Sequence, residues 1–158
     1  MNLALISSDC ICAIIGRVVI VVDTNVFVSA LLGPGGASRD VVRRCLERRL
    51  SPLMGASLFA EYEDLLSRTD LFRGSPLDAG EREAVLNAFL SVCRWTRVHF
   101  LWRPNLPDES DNHVIELAVA GGTEAIVTKN VRDFRRSELL FPALRILRPE
   151  ALIQEIEI

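Results

Sequence analysis

The stretch at residues 18–25 reads VVIVVDTN. Its first five residues are apolar and β-branched without interruption, which is typical of a strand buried on both faces of a sheet. The strand stops at Asp23, Thr24 and Asn25, three polar residues that predict a turn. Strands of this kind belong to parallel sheets covered by helices, so the stretch points to an α/β fold.

On the C-terminal side of this strand, segments whose apolar residues recur at helical spacing alternate with short apolar segments. Asp78 and Glu81 predict a capping box at the start of one helix, and Gly121-Gly122 predicts the end of another. The alternation predicts a three-layer α/β/α architecture with a central, mostly parallel sheet. The predicted helices occupy residues 26–32, 37–49 and 56–67, a segment that follows residue 78, and residues 111–120 and 131–140; the predicted strands occupy residues 51–54, 96–101, 125–128 and 145–147.

Length and composition set limits on the class of protein. The chain has 158 residues, of which 49% are hydrophobic and 25% charged, and this predicts one folded domain over residues 17–158. Residues 1–16 are apolar, but Asp9 interrupts them and no basic residue precedes Arg17, which argues against a secretory signal or a membrane span. We expect them to be an N-terminal extension that is either disordered or the product of a misassigned start.

The net charge and the cysteine content argue against two further kinds of site. A net charge of −3 does not suit a protein that binds nucleic acid through a basic surface, so contacts with nucleic acid would be local or bridged by cations. The four cysteines include no C-x-x-C pair. We therefore expect reduced thiols in a cytoplasmic protein rather than a zinc site.

Acidic residues follow several predicted strands and begin several predicted helices. Asp23 follows the first strand, and Asn130 and Asp133 follow the strand that ends at Thr128. The carboxyl ends of parallel strands lie at one edge of a sheet, together with the starts of the helices that follow them. Two further acids near helix starts, Glu61 and Asp111, are therefore expected at the same edge.

Such a cluster of acids predicts a metal site. Two carboxylates about 4 Å apart repel each other by roughly 4 kcal/mol at an effective dielectric constant near 20, so an ionised cluster needs a compensating cation. Oxygen ligands without cysteine or histidine favour Mg²⁺ or Mn²⁺. These ions also bind phosphate oxygens and activate water, which phosphodiester hydrolysis requires.

Four motifs in this order resemble the PIN-domain nucleases, including the VapC-like toxins of bacterial toxin–antitoxin pairs. The resemblance spans residues 17–149, and the motifs are VVDTN at 21–25, EYEDLLSR at 61–68, DESDN at 108–112 and TKNVRDF at 128–134. It implies a metal-dependent ribonuclease of the PIN-like fold, with catalytic and metal-binding acids at Asp23, Glu61, Asp111 and Asp133. It also implies supporting roles for Asn25, Thr128 and Asn130, an antitoxin partner and a homodimer.

Some positions within these motifs have alternatives. Many relatives have an acid two residues after the threonine of the last motif, where this chain has Asn130, so Asp133 would serve instead. Asp108 competes with Asp111 for the metal, and we favour Asp111. Glu63 competes with Glu61, but the two lie about 200° apart on a helix, so one of them alone can face the site.

Basic and aromatic residues suggest where RNA would bind. Arg132, Arg135 and Arg136 cluster beside the last motif and are the predicted RNA contacts. Trp95 and Trp102 could stack on bases, although positions beside a predicted strand favour core or interface packing. Neither of the two histidines, which are His99 and His113, has a partner pattern that indicates a role in the site.

The sequence leaves two other classes of function open. A non-catalytic RNA-binding or regulatory module could keep the fold without competent metal geometry, and Asn130 is the residue that favours this alternative. An aspartyl phosphatase or a phosphoacceptor receiver domain also uses an aspartate at the end of a strand. That hypothesis is weaker, because no second acid accompanies Asp23 at the first strand.

Overall fold

The computed structural model describes residues 17–101, 106, 108–136 and 141–157. The predicted extension at residues 1–16, Trp102 and the last four residues of the predicted helix 131–140 lie outside the described residues. None of the described helices is both long and apolar enough to cross a bilayer.

The described strands form one sheet of five parallel strands, which confirms the predicted fold class. The spatial order of the strands is β3-β2-β1-β4-β5, so β1, the continuously apolar strand, is central. Val21 pairs with Ile126 of β4, and Val18 pairs with Leu50 of β2. The strands are β1 (Val18–Val22), β2 (Leu50–Met54), β3 (Arg94–Trp95), β4 (Ala125–Val127) and β5 (Arg145–Leu147).

Helices cover both faces of this sheet. The described helices are α1 (Thr24–Leu32), α2 (Ala37–Leu46), α3 (Ala56–Ser67), α4 (Ala79–Val92), α5 (Asn112–Ala120), α6 (Val131–Phe134) and α7 (Pro149–Ile156). The connections from β1 to β2 and from β2 to β3 run toward the β3 edge of the sheet. The connections from β3 to β4 and from β4 to β5 run back toward the β5 edge. Right-handed crossovers therefore place α1 to α4 on one face and α5 and α6 on the opposite face.

The core lies between the central strands and these helices. Ile20, Val21 and Val22 are at most 1% exposed, as expected for a strand covered on both faces. Tyr62 of α3 and Phe89 of α4 stack with their ring centroids 5.9 Å apart on one side of the sheet. This packing fixes α3, the helix that carries Glu61, against β1.

The prediction of a strand at residues 96–101 is wrong. The strand is β3, and it ends at Trp95, after which residues 96–101 have no regular secondary structure. The reason lies in its neighbour, because β2 ends at Met54 and Gly55 leads directly into α3. One further bond joins the two strands, from the Thr96 amide to the Met54 carbonyl at 2.9 Å. After it, β2 has no later residues with which residues 97–101 could pair.

Other boundaries also differ from the predictions. The helix expected over residues 37–49 ends at Leu46, because Arg48 adopts a left-handed conformation with φ of 59°. Helix α1 begins at Thr24, immediately after Asp23, without an intervening turn. The capping box at Asp78 and Glu81 is confirmed in both of its hydrogen bonds.

Candidate functional site

The order of the strands creates a crevice beyond the ends of β1 and β4. The chain leaves β1 for one face of the sheet and leaves β4 for the other, so none of the described helices crosses the gap between their carboxyl ends. Asp23 follows β1 and Thr128 follows β4. The amide of Asp23 donates to the carbonyl of Val127 at 3.0 Å, which joins the two strand ends at this point.

Asp23 lies at the bottom of the crevice with a nearly buried side chain. Its Oδ2 accepts hydrogen bonds from the Thr128 hydroxyl at 2.7 Å and from the Asn25 amide at 3.1 Å. Asn25 also accepts a bond from the Lys129 amide at 3.1 Å, so it links the two strand ends. Asn25 and Thr128 therefore hold the carboxylate in one orientation.

Burial raises the pKa of Asp23, and the nearby charge of Glu61 raises it further. The Thr128 hydroxyl acts in the opposite direction, because it stabilises the ionised form. The net shift is upward. The ionised form of Asp23 is therefore destabilised, and a cation in the crevice would stabilise it.

Glu61 reaches the crevice from α3. Its Oε1 accepts a hydrogen bond from the Thr24 hydroxyl at 2.9 Å, and its Oε2 lies 2.9 Å from Nε2 of His113 on α5. The histidine's other nitrogen, Nδ1, lies 2.6 Å from the carbonyl oxygen of Ser110. Since a carbonyl can only accept, Nδ1 carries a proton, and attraction between Nε2 and the carboxylate requires a second proton there.

This contact changes the pKa values of both partners. Burial raises the pKa of Glu61, but the close contact with the positively charged His113 and the hydrogen bond from the Thr24 hydroxyl outweigh it, and the net shift is downward. For His113, burial lowers the pKa, but Glu61 and the Ser110 carbonyl outweigh it, and the net shift is upward. The pair is therefore a carboxylate facing an imidazolium. Oε2 and Nε2 have no well-aligned hydrogen-bond partner among the described residues, so the contact is mainly electrostatic.

Asp111 directly precedes α5, at the top of the crevice. Burial raises its pKa to about 6, and the charges of Asp23, Asp108 and Glu61 all add to the shift. The three predicted acids Asp23, Glu61 and Asp111 therefore lie within one electrostatic cluster. Asp108 contributes to this cluster, but it is exposed, and bonds from the Ser110 hydroxyl and amide lower its pKa.

Asp133 occupies a different position. It lies in the first turn of α6, where its Oδ2 accepts a hydrogen bond from the Asn130 amide at 2.8 Å. The backbone amide of Asn130 donates to the Thr128 hydroxyl at 3.0 Å, and that hydroxyl binds Asp23. Asp133 is thus connected to the cluster through Asn130 and Thr128, and its charge is not among the main causes of the shifts at the other acids.

Two residues of this site were not found from the sequence. The interpretation of His113 as a residue without a role in the site is wrong, because it contacts Glu61. Thr24 was predicted to be a turn residue, yet its hydroxyl donates a hydrogen bond to Glu61. Spacing could have suggested His113, since it directly follows the DESDN motif and stands two residues after Asp111, but its partner on another helix is 52 residues away in sequence.

The donor set suits a hard divalent ion, although the side chains do not form a closed cage. Carboxylate oxygens dominate, and two of the three clustered acids have pKa values raised by burial and, to a smaller extent, by the neighbouring acids, which a bound cation would counteract. Among the described residues, no group of three His, Cys, Asp or Glu side chains stands ready to hold an ion. Mg²⁺ usually retains several waters and binds one or two carboxylates, so an open arrangement of this kind fits it.

The fold and the crevice together define a class of protein: a three-layer α/β/α domain with an acidic cluster at the carboxyl edge of a parallel sheet. Within that class, the family described as PIN domain matches residues 19–132. The chain belongs to the PIN domain family. PIN domains are in general nucleases that use divalent metal ions, which places the chain among hydrolases that act on nucleic acid.

A solved structure is also similar to this chain. It is described as VapBC2 from Rickettsia felis bound to a DNA fragment from their promoter, and one of its chains superposes with a TM-score of 0.57. The match covers 82% of this chain and 98% of that chain at 14% identity, so it supports the fold alone. Among curated proteins, no sequence matches the chain significantly.

Proposed function

We propose that the protein is a Mg²⁺- or Mn²⁺-dependent endoribonuclease and the toxin of a toxin–antitoxin pair. The observation that carries the proposal is the electrostatic coupling of Asp23, Glu61 and Asp111 at the crevice between β1 and β4. Repulsion among these acids, of which Asp23 is buried, destabilises their ionised forms in the metal-free protein, and a bound cation would offset it, which fits a nuclease family.

Each residue has a distinct part in the proposed site. Asp23, Glu61 and Asp111 would hold the ion, with Asp133 as the fourth acid. When bound, the ion would lower the pKa of an attacking water and offset charge that develops on the phosphate. Asn25, Thr128 and Asn130 fix the orientations of Asp23 and Asp133 through the hydrogen bonds described above.

Binding of the RNA backbone is assigned to the arginines beside α6. Arg132, Arg135 and Arg136 are exposed, and they lie next to Asp133 at the same edge of the sheet. Guanidinium groups bind phosphate in bidentate fashion, and three of them would offset the negative field of the acids. The rest of the surface need not be basic, which accommodates the net charge of −3.

We also propose an antitoxin partner, a homodimer and a cytoplasmic location. A neighbour described as VapBC2 supports an antitoxin as the binding partner, and we carry over a homodimer from the same family resemblance. Cys45 and Cys93 are free thiols, which suits the reducing cytoplasm.

The test is cleavage of single-stranded RNA by the purified protein with Mg²⁺, Mn²⁺ or a chelator. Asp23→Asn keeps an amide oxygen that can accept the bonds from Thr128 and Asn25, but it removes the charge. We expect it to abolish metal-dependent cleavage without loss of thermal stability. Glu63→Gln is the matched control, because Glu63 is an exposed acid on the same helix as Glu61. Cleavage that survives Asp23→Asn would refute the proposal.

A second candidate is a non-catalytic RNA-binding module. The open arrangement of the acids, with no preformed group of three ligands among the described residues, is the observation that favours it. Calorimetric titration with Mn²⁺ separates the two functions. A protein that binds RNA but no Mn²⁺ at millimolar concentration would be a binding module.

A further inference from the structure

A second cavity lies beside the acidic crevice, beyond the carboxyl ends of β2 and β3. Its volume is about 560 Å³, and its walls include Gly55 and Ser57 at the start of α3, Trp95 and Arg97 around the end of β3, and His113 of α5. His113 therefore borders both spaces, with Glu61 on one side of it and the cavity on the other. A polymer bound across the crevice would continue into this cavity.

Trp95 is the main aromatic side chain of the cavity wall. It is 54% exposed although it belongs to a strand, so of the two predicted alternatives core packing is wrong and packing at an interface stays a prediction. Phe59 of α3 supports it from the side, with ring centroids 5.5 Å apart in an edge-to-face arrangement. Edge contact fixes the indole and leaves ring surface available for stacking.

Charge near Trp95 favours an anionic occupant. Arg97 is exposed, and among the described residues it forms no ion pair. No acidic residue stands in the first turn of α3, whose first residues line the same space. Glu116 also lines the cavity, but it is 2% exposed and contributes little surface. A flat indole beside a guanidinium is the combination with which proteins bind a base and its phosphate in single-stranded nucleic acid.

We propose that this cavity is a nucleotide subsite of the substrate, in which Trp95 stacks on an unpaired base and Arg97 binds the adjoining phosphate. The inference rests on the proposed ribonuclease function, and it deepens that function by requiring single-stranded RNA on this side of the cleaved bond. A base inside a duplex could not reach the indole.

The test measures binding of a fluorescein-labelled, single-stranded RNA hexamer by anisotropy in a chelator, so that no cleavage occurs. Trp95→Ala should weaken binding by about tenfold, and Trp95→Phe should restore most of it, because stacking needs an aromatic face. Arg97→Gln should reduce the slope of log K against log salt by about 0.7. Phe100→Ala is the control, since Phe100 is 73% exposed but does not line the cavity.

The outcomes separate this inference from the function on which it rests. RNA binding that depends on Trp95 supports the subsite even if no variant cleaves RNA, in which case the proposed function alone fails. Equal affinity of wild type and Trp95→Ala overturns the subsite, whether or not Asp23→Asn abolishes cleavage. A change from dimer to monomer in Trp95→Ala by sedimentation, with RNA affinity unchanged, also overturns it and assigns the face to a second copy of the chain.

Discussion

Nε2 of His113 lies 2.9 Å from Oε2 of Glu61 and joins the two helices that flank the crevice. Helix α3 carries the acid and α5 carries the histidine, so the contact crosses from one face of the sheet to the other around its carboxyl edge. A second anchor, the Thr24 hydroxyl, binds the other carboxylate oxygen. Glu61 is thus held at both oxygens before any ion arrives.

His113→Ala should lower stability within a defined pH range. The pKa of Glu61 is lowered, so its contribution is present above its ordinary value of 4.5 and is lost as pH falls through the folded value. The pKa of His113 is raised, so its contribution is present below its ordinary value of 6.5 and is lost as pH rises through the folded value. In a chelator, urea unfolding should show a loss of about 1 kcal/mol near pH 5.5 and less at pH 9.

His99→Ala is the control for that measurement, because His99 is an exposed histidine. A loss in His113→Ala that stays constant from pH 5.5 to pH 9 would mean that packing, rather than the ion pair, accounts for the effect.

Asp111→Asn should stabilise the metal-free protein at alkaline pH. Burial and the neighbouring acids raise the pKa of Asp111 to about 6 from an ordinary value of 3.8, so its ionisation costs stability as pH rises through that range. With a discount for solvent screening at this half-exposed group, the gain should be about 1 kcal/mol at pH 8. At pH 3.5 the variant and the wild type should unfold alike. Equal stability at pH 8 would contradict the clustering of the acids.

Divalent ions should raise the melting temperature. Binding to the native state alone stabilises a protein by about 2.7 kcal/mol at a hundredfold excess over the dissociation constant. Differential scanning fluorimetry should show the increase with Mn²⁺ at pH 8 and a smaller one at pH 5, where protonation of Asp111 competes with the ion. Asp23→Asn should remove the effect, and NaCl at equal ionic strength should not reproduce it.

Asp133→Asn should impair metal-dependent cleavage less than Asp111→Asn does. Asp111 shares an electrostatic cluster with Asp23 and Glu61, whereas Asp133 reaches Asp23 through Asn130 and Thr128. Initial rates at saturating Mn²⁺ would decide the order. A larger loss in Asp133→Asn would instead make Asp133 a direct ligand and reduce Asp111 to a neighbour.

Tyr62→Phe should destabilise the protein without altering its chemistry. The buried hydroxyl donates to the carbonyl of Val22 at 2.7 Å, immediately before Asp23. Loss of this bond should cost about 1 kcal/mol in urea unfolding, while kcat for cleavage stays within about twofold. A large fall in kcat at unchanged stability would show that the hydroxyl controls the position of Asp23.

The sequence predicted the sheet because the five residues of β1 form a continuous apolar, β-branched segment, which is typical of a strand buried in a parallel sheet. The position of Asp23 followed from the same segment, since parallel strands share one carboxyl edge. Strand β3 could not be located in this way. Its length depends on where β2 ends, and that is a property of a partner strand rather than of residues 94–101.

The contact between Glu61 and His113 was hidden for a similar reason. It depends on the relative rotation of α3 and α5, whose buried residues Leu58 and Leu117 both belong to the core. Helical spacing shows which face of each helix is apolar, but it does not show which polar residues meet at the border of two such faces. Helix α7 had a readable start at Pro149 with Glu150 in its first turn, and it was simply not predicted.

The shortness of the outer strands has a consequence for behaviour in a crowded cell. Strand β3 has two residues and β5 has three, and each begins with an exposed arginine. A long, flat outer strand would offer unpaired amides and carbonyls to neighbouring molecules and so promote aggregation. Here both outer strands end before such a template forms, and each begins with a charged side chain, which at Arg145 forms an ion pair with Glu155 at 2.6 Å.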